Sequence, residues 1–178
     1  HYIVYVAAGA WRLDTWKDGY VRTAPTWEFT IGEGVTLTRD ITLTLVDATI
    51  RGTVRDTGGT PIAGADVNTG VPGWGTNTQT DASGAYTLTV YGGTWWVRAS
   101  KDGYTGAGRN VTVADGGTQM GEDFTLQALD ATIRGTVRDA NSNPVSGVNV
   151  DTGVSGWGVN TQTDASGNYT LTVYGGTW

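Results

Sequence analysis

The side chains able to do chemistry are few, and their spacing argues against catalysis. The chain holds one histidine, His1, and no cysteine, so thiolate nucleophiles, disulfides and Cys/His metal sets are outside its repertoire. Glu122 and Asp123 are adjacent carboxylates, but nothing near them in sequence makes an acid–base pair, and they read as solvated residues where a strand begins. Asp81 and Asp164 open Asp-Ala-Ser-Gly turns. One carboxylate per turn is too few for calcium, which takes about six to eight oxygens, so these aspartates are expected to stabilise their turns. No glycine-rich loop has the spacing that cradles phosphate. The expectation is a protein without catalytic residues, metal or cofactor.

What remains is aromatic and amide chemistry. Trp74 and Trp157 occupy the same Gly-Trp-Gly loop in two stretches of the chain. Two readings stand side by side: a platform on which polysaccharide stacks, or an indole that packs on its own domain or the next. Asn110-Val-Thr112 and Asn168-Tyr-Thr170 are candidate N-glycosylation sites, short patterns that also arise by chance in a threonine-rich chain. At the start of the chain, Ile3 and Tyr5 stand where a later copy has Thr87 and Thr89, so this strand is apolar on both faces; Trp16 and Trp27 add aromatic surface. A strand of that kind should be covered on both sides, which marks Ile3, Tyr5, Trp16, Trp27, Trp74 and Trp157 as candidates for contacts between domains or between chains.

The elements that must position these residues are repeated. Asp47–Trp95 returns as Asp130–Trp178 at an offset of 83, identical at 37 of 49 positions. Tyr2–Trp11 and Lys17–Tyr20 match Tyr86–Trp95 and Lys101–Tyr104 at an offset of 84. The 178 residues therefore read as the C-terminal half of one unit (1–46), a complete unit (47–129) and the N-terminal half of another (130–178). Each half exposes unpaired edges and part of an apolar face, so each is expected to need a partner, in further sequence or in a second copy.

Composition narrows the class. Charged residues are 16% of the chain against the usual quarter or so, replaced by 28 glycines and many threonines, while 8 Trp and 8 Tyr supply apolar surface. A net charge of −6 with only Lys17 and Lys101 as lysines argues against nucleic acid or an anionic membrane as partner. No stretch is long and apolar enough to span a bilayer as a helix. The opening His-Tyr-Ile-Val-Tyr-Val is strand-like and lacks the pattern of a signal peptide, so a targeting segment is expected upstream or already removed.

Within the unit, period-two alternation prevails and no window shows helical periodicity. Ala48, Ile50 and Val54 face one way and Thr49, Arg51, Thr53 and Arg55 the other. Further strands are expected at Ile62–Asn68 (with Gly64 as a bulge), at Thr76–Thr80, and around Tyr86/Leu88/Val90 and Trp95/Val97/Ala99. Two more follow at Val111/Val113 and Phe124/Leu126/Ala128. Seven short strands at about ten-residue spacing predict an all-β, antiparallel two-sheet sandwich repeated every 83 residues or so.

The order Ile50-x-Gly52-x-Val54-x-Asp56, Pro61-Ile62-x-Gly64-Ala65-x-Val67, Thr80-Asp81-x-x-Gly84-x-Tyr86-x-Leu88, Gly93-x-Trp95 and Gly103-Tyr104 resembles the carboxypeptidase regulatory-like domain. That family is a seven-stranded prealbumin-like sandwich related to the B-type repeats of collagen-adhesin stalks. The resemblance covers the complete unit and both halves, and implies a folding, spacing or docking module without chemistry of its own. The Lys–Asn isopeptide bond of the adhesin relatives is not expected, because Arg51 and Arg55 stand in the first strand and both lysines lie in Lys-Asp-Gly-Tyr turns. The peptidase that sometimes precedes the module needs zinc-binding histidines, which are missing.

The expectation is then a structural repeat protein on the cell surface or outside it, stacked into a stalk or filament whose main partner is further copies of itself. The alternative is a carbohydrate-binding or adhesin module using the Gly-Trp-Gly loops.

Overall fold

Apolar residues that alternate with threonine are buried most simply by extended strands with one face against a second sheet. The computed structural model of the chain describes residues 2–22, 27–71, 74–154 and 157–176, without the side chains of Arg22, Trp27, Val154 and Trp157. Among these residues the ordered elements are all strands. The leading segment holds β1 (Gly9–Leu13), β2 (Tyr20–Arg22), β3 (Trp27–Ile31) and β4 (Leu43–Leu45). The middle holds β5 (Ala48–Asp56), β6 (Asp66–Val71), β7 (Trp74–Gln79), β8 (Ala85–Val90), β9 (Gly93–Ser100), β10 (Ala107–Val113), β11 (Thr118–Gln119) and β12 (Phe124–Leu126). The trailing segment holds β13 (Ala131–Thr136), β14 (Asn149–Val154), β15 (Trp157–Gln162) and β16 (Asn168–Val173).

Strands β5–β12 form a β-sandwich. One sheet runs β10-β9-β6-β7; the other is centred on β5, with β8 on one side and β11 and β12 on the other. Alternation works as expected: Tyr86, Leu88 and Val90 of β8 are buried, as are Trp95, Val97 and Ala99 of β9, while Thr87, Thr89, Trp96 and Arg98 face out. Ile50 sits opposite Leu88, and both join Val54, Val67, Val111, Phe124 and Leu126 in one core. Each of the large side chains contributes on the order of 1.5–3 kcal/mol by leaving water.

Three local expectations need correction. The sheets are not wholly antiparallel, because β11 and β12 run parallel to β5. The chain leaves β10 in one sheet and descends along the free side of β5 in the other, and a period-two pattern carries no direction. The strand expected at Ile62–Asn68 forms only from Asp66, since Gly64 adopts a φ of 63° and turns the chain, leaving Pro61 in an isolated bridge to Arg55. The Glu122–Asp123 pair does lead into β12, but only Asp123 is solvent-exposed and Glu122 is half-buried. Here the chain crosses Gly52 so closely that a Cβ there would strike the Glu122 carbonyl. The same carbonyl accepts a hydrogen bond from the Tyr86 hydroxyl at 2.5 Å. Asp123 accepts from the Thr53 N–H and hydroxyl at 2.7 and 2.9 Å, and Arg109 Nε lies 3.0 Å from the Glu122 carboxylate. These two acids latch the last strands onto the first.

The outer segments repeat parts of this pattern. Ile133 faces Leu171 in the β13–β16 pair as Ile50 faces Leu88. Trp11 Nε1 donates to the Ala7 carbonyl at 2.8 Å as Trp95 Nε1 donates to Tyr91 at 2.9 Å. Val46 N–H reaches the Gly19 carbonyl as Leu129 N–H reaches Gly103, both at 2.8 Å. What differs is the number of partners. Among the described residues, β5 has neighbours on two sides, whereas β13 pairs only with β16 and β1 only with β3.

Candidate functional site

The expected strand at the start of the chain does not form. Residues 2–7 have no regular structure, although Tyr2, Val4 and Val6 match Tyr86, Leu88 and Val90, all nearly inaccessible in the middle sandwich. The reason is pairing: β8 lies against β5, and among the described residues no strand pairs with residues 2–6. An apolar alternating sequence without a neighbour has no ladder to join. Tyr5 is 93% exposed, and Ile3 and Val4 are each exposed. The Tyr2 hydroxyl donates to the Arg39 carbonyl at 2.9 Å.

The tryptophans separate by position. Trp95 is 1% exposed; its counterpart Trp11 is 40% exposed. Trp95 is covered by Trp74 and Tyr91, with ring centroids at 5.1 and 4.6 Å, and Trp74 lies 5.3 Å from Tyr91. Trp74, where β7 starts, thus packs into its own sandwich. Trp16 projects into water at 86% exposure. Trp27 starts β3 opposite Leu13, and Trp157 starts β15 opposite Val154; their side chains lie outside the described set. So Ile3, Tyr5 and Trp16 share the exposed leading segment, and Trp74 belongs to a different, internal cluster.

The polar candidates resolve locally. Asp81 accepts from the Ser83 hydroxyl at 2.6 Å, the Ser83 N–H at 2.8 Å and the Ala85 N–H at 3.0 Å. These bonds hold its carboxyl below the usual range, the Ser83 hydroxyl first among them. Asp164 is lowered in the same way, chiefly by the Asn168 N–H. Both carboxylates are engaged across their turns. Among the described residues no three His, Cys, Asp or Glu side chains are grouped as a metal set. Asn168 is tied to the Thr136 hydroxyl at 3.1 Å. Asn110 is exposed on β10, directly opposite Trp96 of β9. Trp96 is not among the residues the sequence marked as candidates, yet it is 55% exposed. The available signal was a large aromatic at an outward position otherwise held by Thr, Arg and Ser.

No helix among the described residues is long and apolar enough to cross a membrane. No curated protein matches the chain. Among solved structures, the Bacillus anthracis TIE protein aligns at 15% identity with a TM-score of 0.42, over 88% of this chain and 32% of that one. The streptococcal ancillary pilin aligns at 12% identity with a TM-score of 0.40, over 96% of this chain and 64% of that one. The chain thus spans less than two thirds of either protein. The family model of the carboxypeptidase regulatory-like domain matches residues 49–127. That stretch runs through β5–β12 and their common core, and the middle of this chain accordingly matches the carboxypeptidase regulatory-like domain.

Proposed function

We propose that this protein is a structural, non-catalytic component of an extracellular fibre or cell-surface stalk, built by end-to-end stacking of sandwich units and by association between copies of the chain. The carrying observation is the contrast between one sequence pattern buried and the same pattern bare: Trp95 at 1% exposure and Trp11 at 40%. Apolar strand surface of this kind is stabilised by being covered, at about 25 cal/mol per Å². Residues 47–95 and 130–178 agree at 37 of 49 positions, and the half 1–46 keeps the Tyr2–Trp11 and Lys17–Tyr20 pattern, which suits regular addition of one unit to the next.

In its finer form the reading is strand sharing. The free edges of β1 and β13 correspond to edges that the middle sandwich joins, as β9 to β6 and β12 to β5. A leading half and a trailing half are therefore complementary, except that Tyr2–Trp11 duplicates Tyr169–Trp178. β16 is already paired with β13, whereas residues 2–6 are unpaired, so the leading copy of the duplicated strand is the one that yields. Packing of Trp74 against Tyr91 and Trp95 takes support from a polysaccharide platform on the Gly-Trp-Gly loops. The test is the double variant Ile3→Thr, Tyr5→Thr, which should shift sedimentation toward the monomer and reduce filaments in electron micrographs. Assembly equal to that of the unaltered chain would discard the reading.

A further inference from the structure

The outward face of the β10-β9-β6-β7 sheet differs from the threonine-rich surface elsewhere. Trp96 stands on it, and its ring lies across Gly108, where an added Cβ would come within 2.9 Å of Trp96 Cζ2. The indole is thus seated on the backbone of β10 and more than half exposed. Beside it, Arg98 and Ser100 follow on β9, Ser100 faces Asp66 on β6, and Asp66 faces Gln79 on β7. With glycines at 106 and 108 keeping the floor low, these residues line an open trough of about 950 Å³, together with Lys101 and Asp102.

The trough's chemistry is specific. Asp66 and Asp102 balance Arg98 and Lys101, so it holds no net charge for a phosphate or polyanion to seek. Gln79 Nε2 donates to Asp66 Oδ1 at 2.9 Å, which orients the carboxylate. Lys101 is tethered to the Gly64 carbonyl at 2.9 Å. Among the described residues no hydrogen bond or ion pair occupies the Arg98 guanidinium. Planar amide, carboxylate and guanidinium groups next to a flat indole match a ligand with vicinal hydroxyls on its rim and an apolar ring face. We propose that this face binds a neutral oligosaccharide, with a pyranose ring stacked on Trp96 and its hydroxyls taken by Asp66, Gln79 and Arg98. A sugar whose hydroxyls are all equatorial presents the flat C–H face that stacking needs, so β-linked glucose or N-acetylglucosamine oligomers are the ligand class. Gly158 of β15 also borders the trough, and no residue of the leading segment lines it.

Cellohexaose and chitohexaose are the probes, titrated against the intact chain produced in bacteria, with tryptophan fluorescence and calorimetry as readouts. Saturable binding of at least one is expected, weakened about tenfold or more by Trp96→Ala, and partly kept by Trp96→Phe. Circular dichroism checks that each variant is folded, and Arg98→Ala, an exposed change, serves as a second variant expected to weaken binding. The Ile3→Thr, Tyr5→Thr chain should bind sugar normally, which separates this proposal from the assembly reading. Absence of binding by both hexamers, or affinities unchanged in folded Trp96→Ala and Arg98→Ala chains, would overturn it.

Discussion

At the scale of single residues, the turn aspartates set the response to acid. Asp56, Asp81, Asp139 and Asp164 are all held below their ordinary range. The leading cause is the Thr60 N–H for Asp56, the Ser83 hydroxyl for Asp81, the Asn143 side chain for Asp139 and the Asn168 N–H for Asp164. The unfolded chain lacks these donors, so its carboxyls titrate near the ordinary aspartate value of about 3.9. A carboxyl depressed in the folded state contributes stability above that unfolded value and loses it as pH falls through the folded one. Melting temperature should therefore be nearly level from neutrality to about pH 5 and fall below about pH 4. In the double variant Asp81→Asn, Asp164→Asn the fall should be shallower, from a lower starting point. All four groups are solvent-exposed and screened, so the effect rests on their number. A melting temperature independent of pH down to about 2 would refute it.

At the scale of elements, the internal ring cluster and the exposed indole make opposite predictions from one residue type. Trp74 ties the start of β7 to the β8–β9 corner through Tyr91 and Trp95, so Trp74→Ala should destabilise the middle sandwich by roughly 2–3 kcal/mol, below the range for a fully buried tryptophan. Trp96→Ala should fall within about 0.5 kcal/mol of the unaltered chain. Urea denaturation measures both, and equal losses would mean that the two rings are wrongly placed. Sequence alone could not separate them in this way. The phase of Tyr86, Leu88 and Val90 was legible because one buried face forces alternate residues inward. Trp74 follows a loop, where phase is undefined. The direction of β12 was hidden too, since Phe124 and Leu126 alternate equally well parallel or antiparallel to β5. The failure at residues 2–6 is the most instructive. Tyr-Ile-Val-Tyr-Val has every intrinsic mark of a strand, but a strand is a paired object, and pairing is a property of the surroundings. The latch of Tyr86, Arg109, Glu122 and Asp123 was invisible for a related reason. Its members are far apart in sequence and meet only because the chain crosses at Gly52, a position that admits no side chain.

At the scale of the whole chain, the same sequence is held in unequal environments, and this should appear as unequal opening. The middle sandwich closes a core between two sheets, whereas β1–β3, β2–β4, β13–β16 and β14–β15 are each two-stranded. Two-stranded pairs are marginal on their own, and local opening follows the number of buried neighbours. In dilute solution, amides of residues 131–136 should exchange about a hundredfold faster or more than those of 48–53, although the two stretches are identical in sequence. Identity removes intrinsic exchange rates from the comparison, so any difference reports environment alone. On assembly the gap should close, because a neighbouring copy supplies the pairings that β5 already has. Hydrogen-exchange mass spectrometry of dilute and assembled material measures this. Equal protection of both stretches in the dilute chain would mean that the trailing half is stable unaided, and the physical need for a partner would vanish with it.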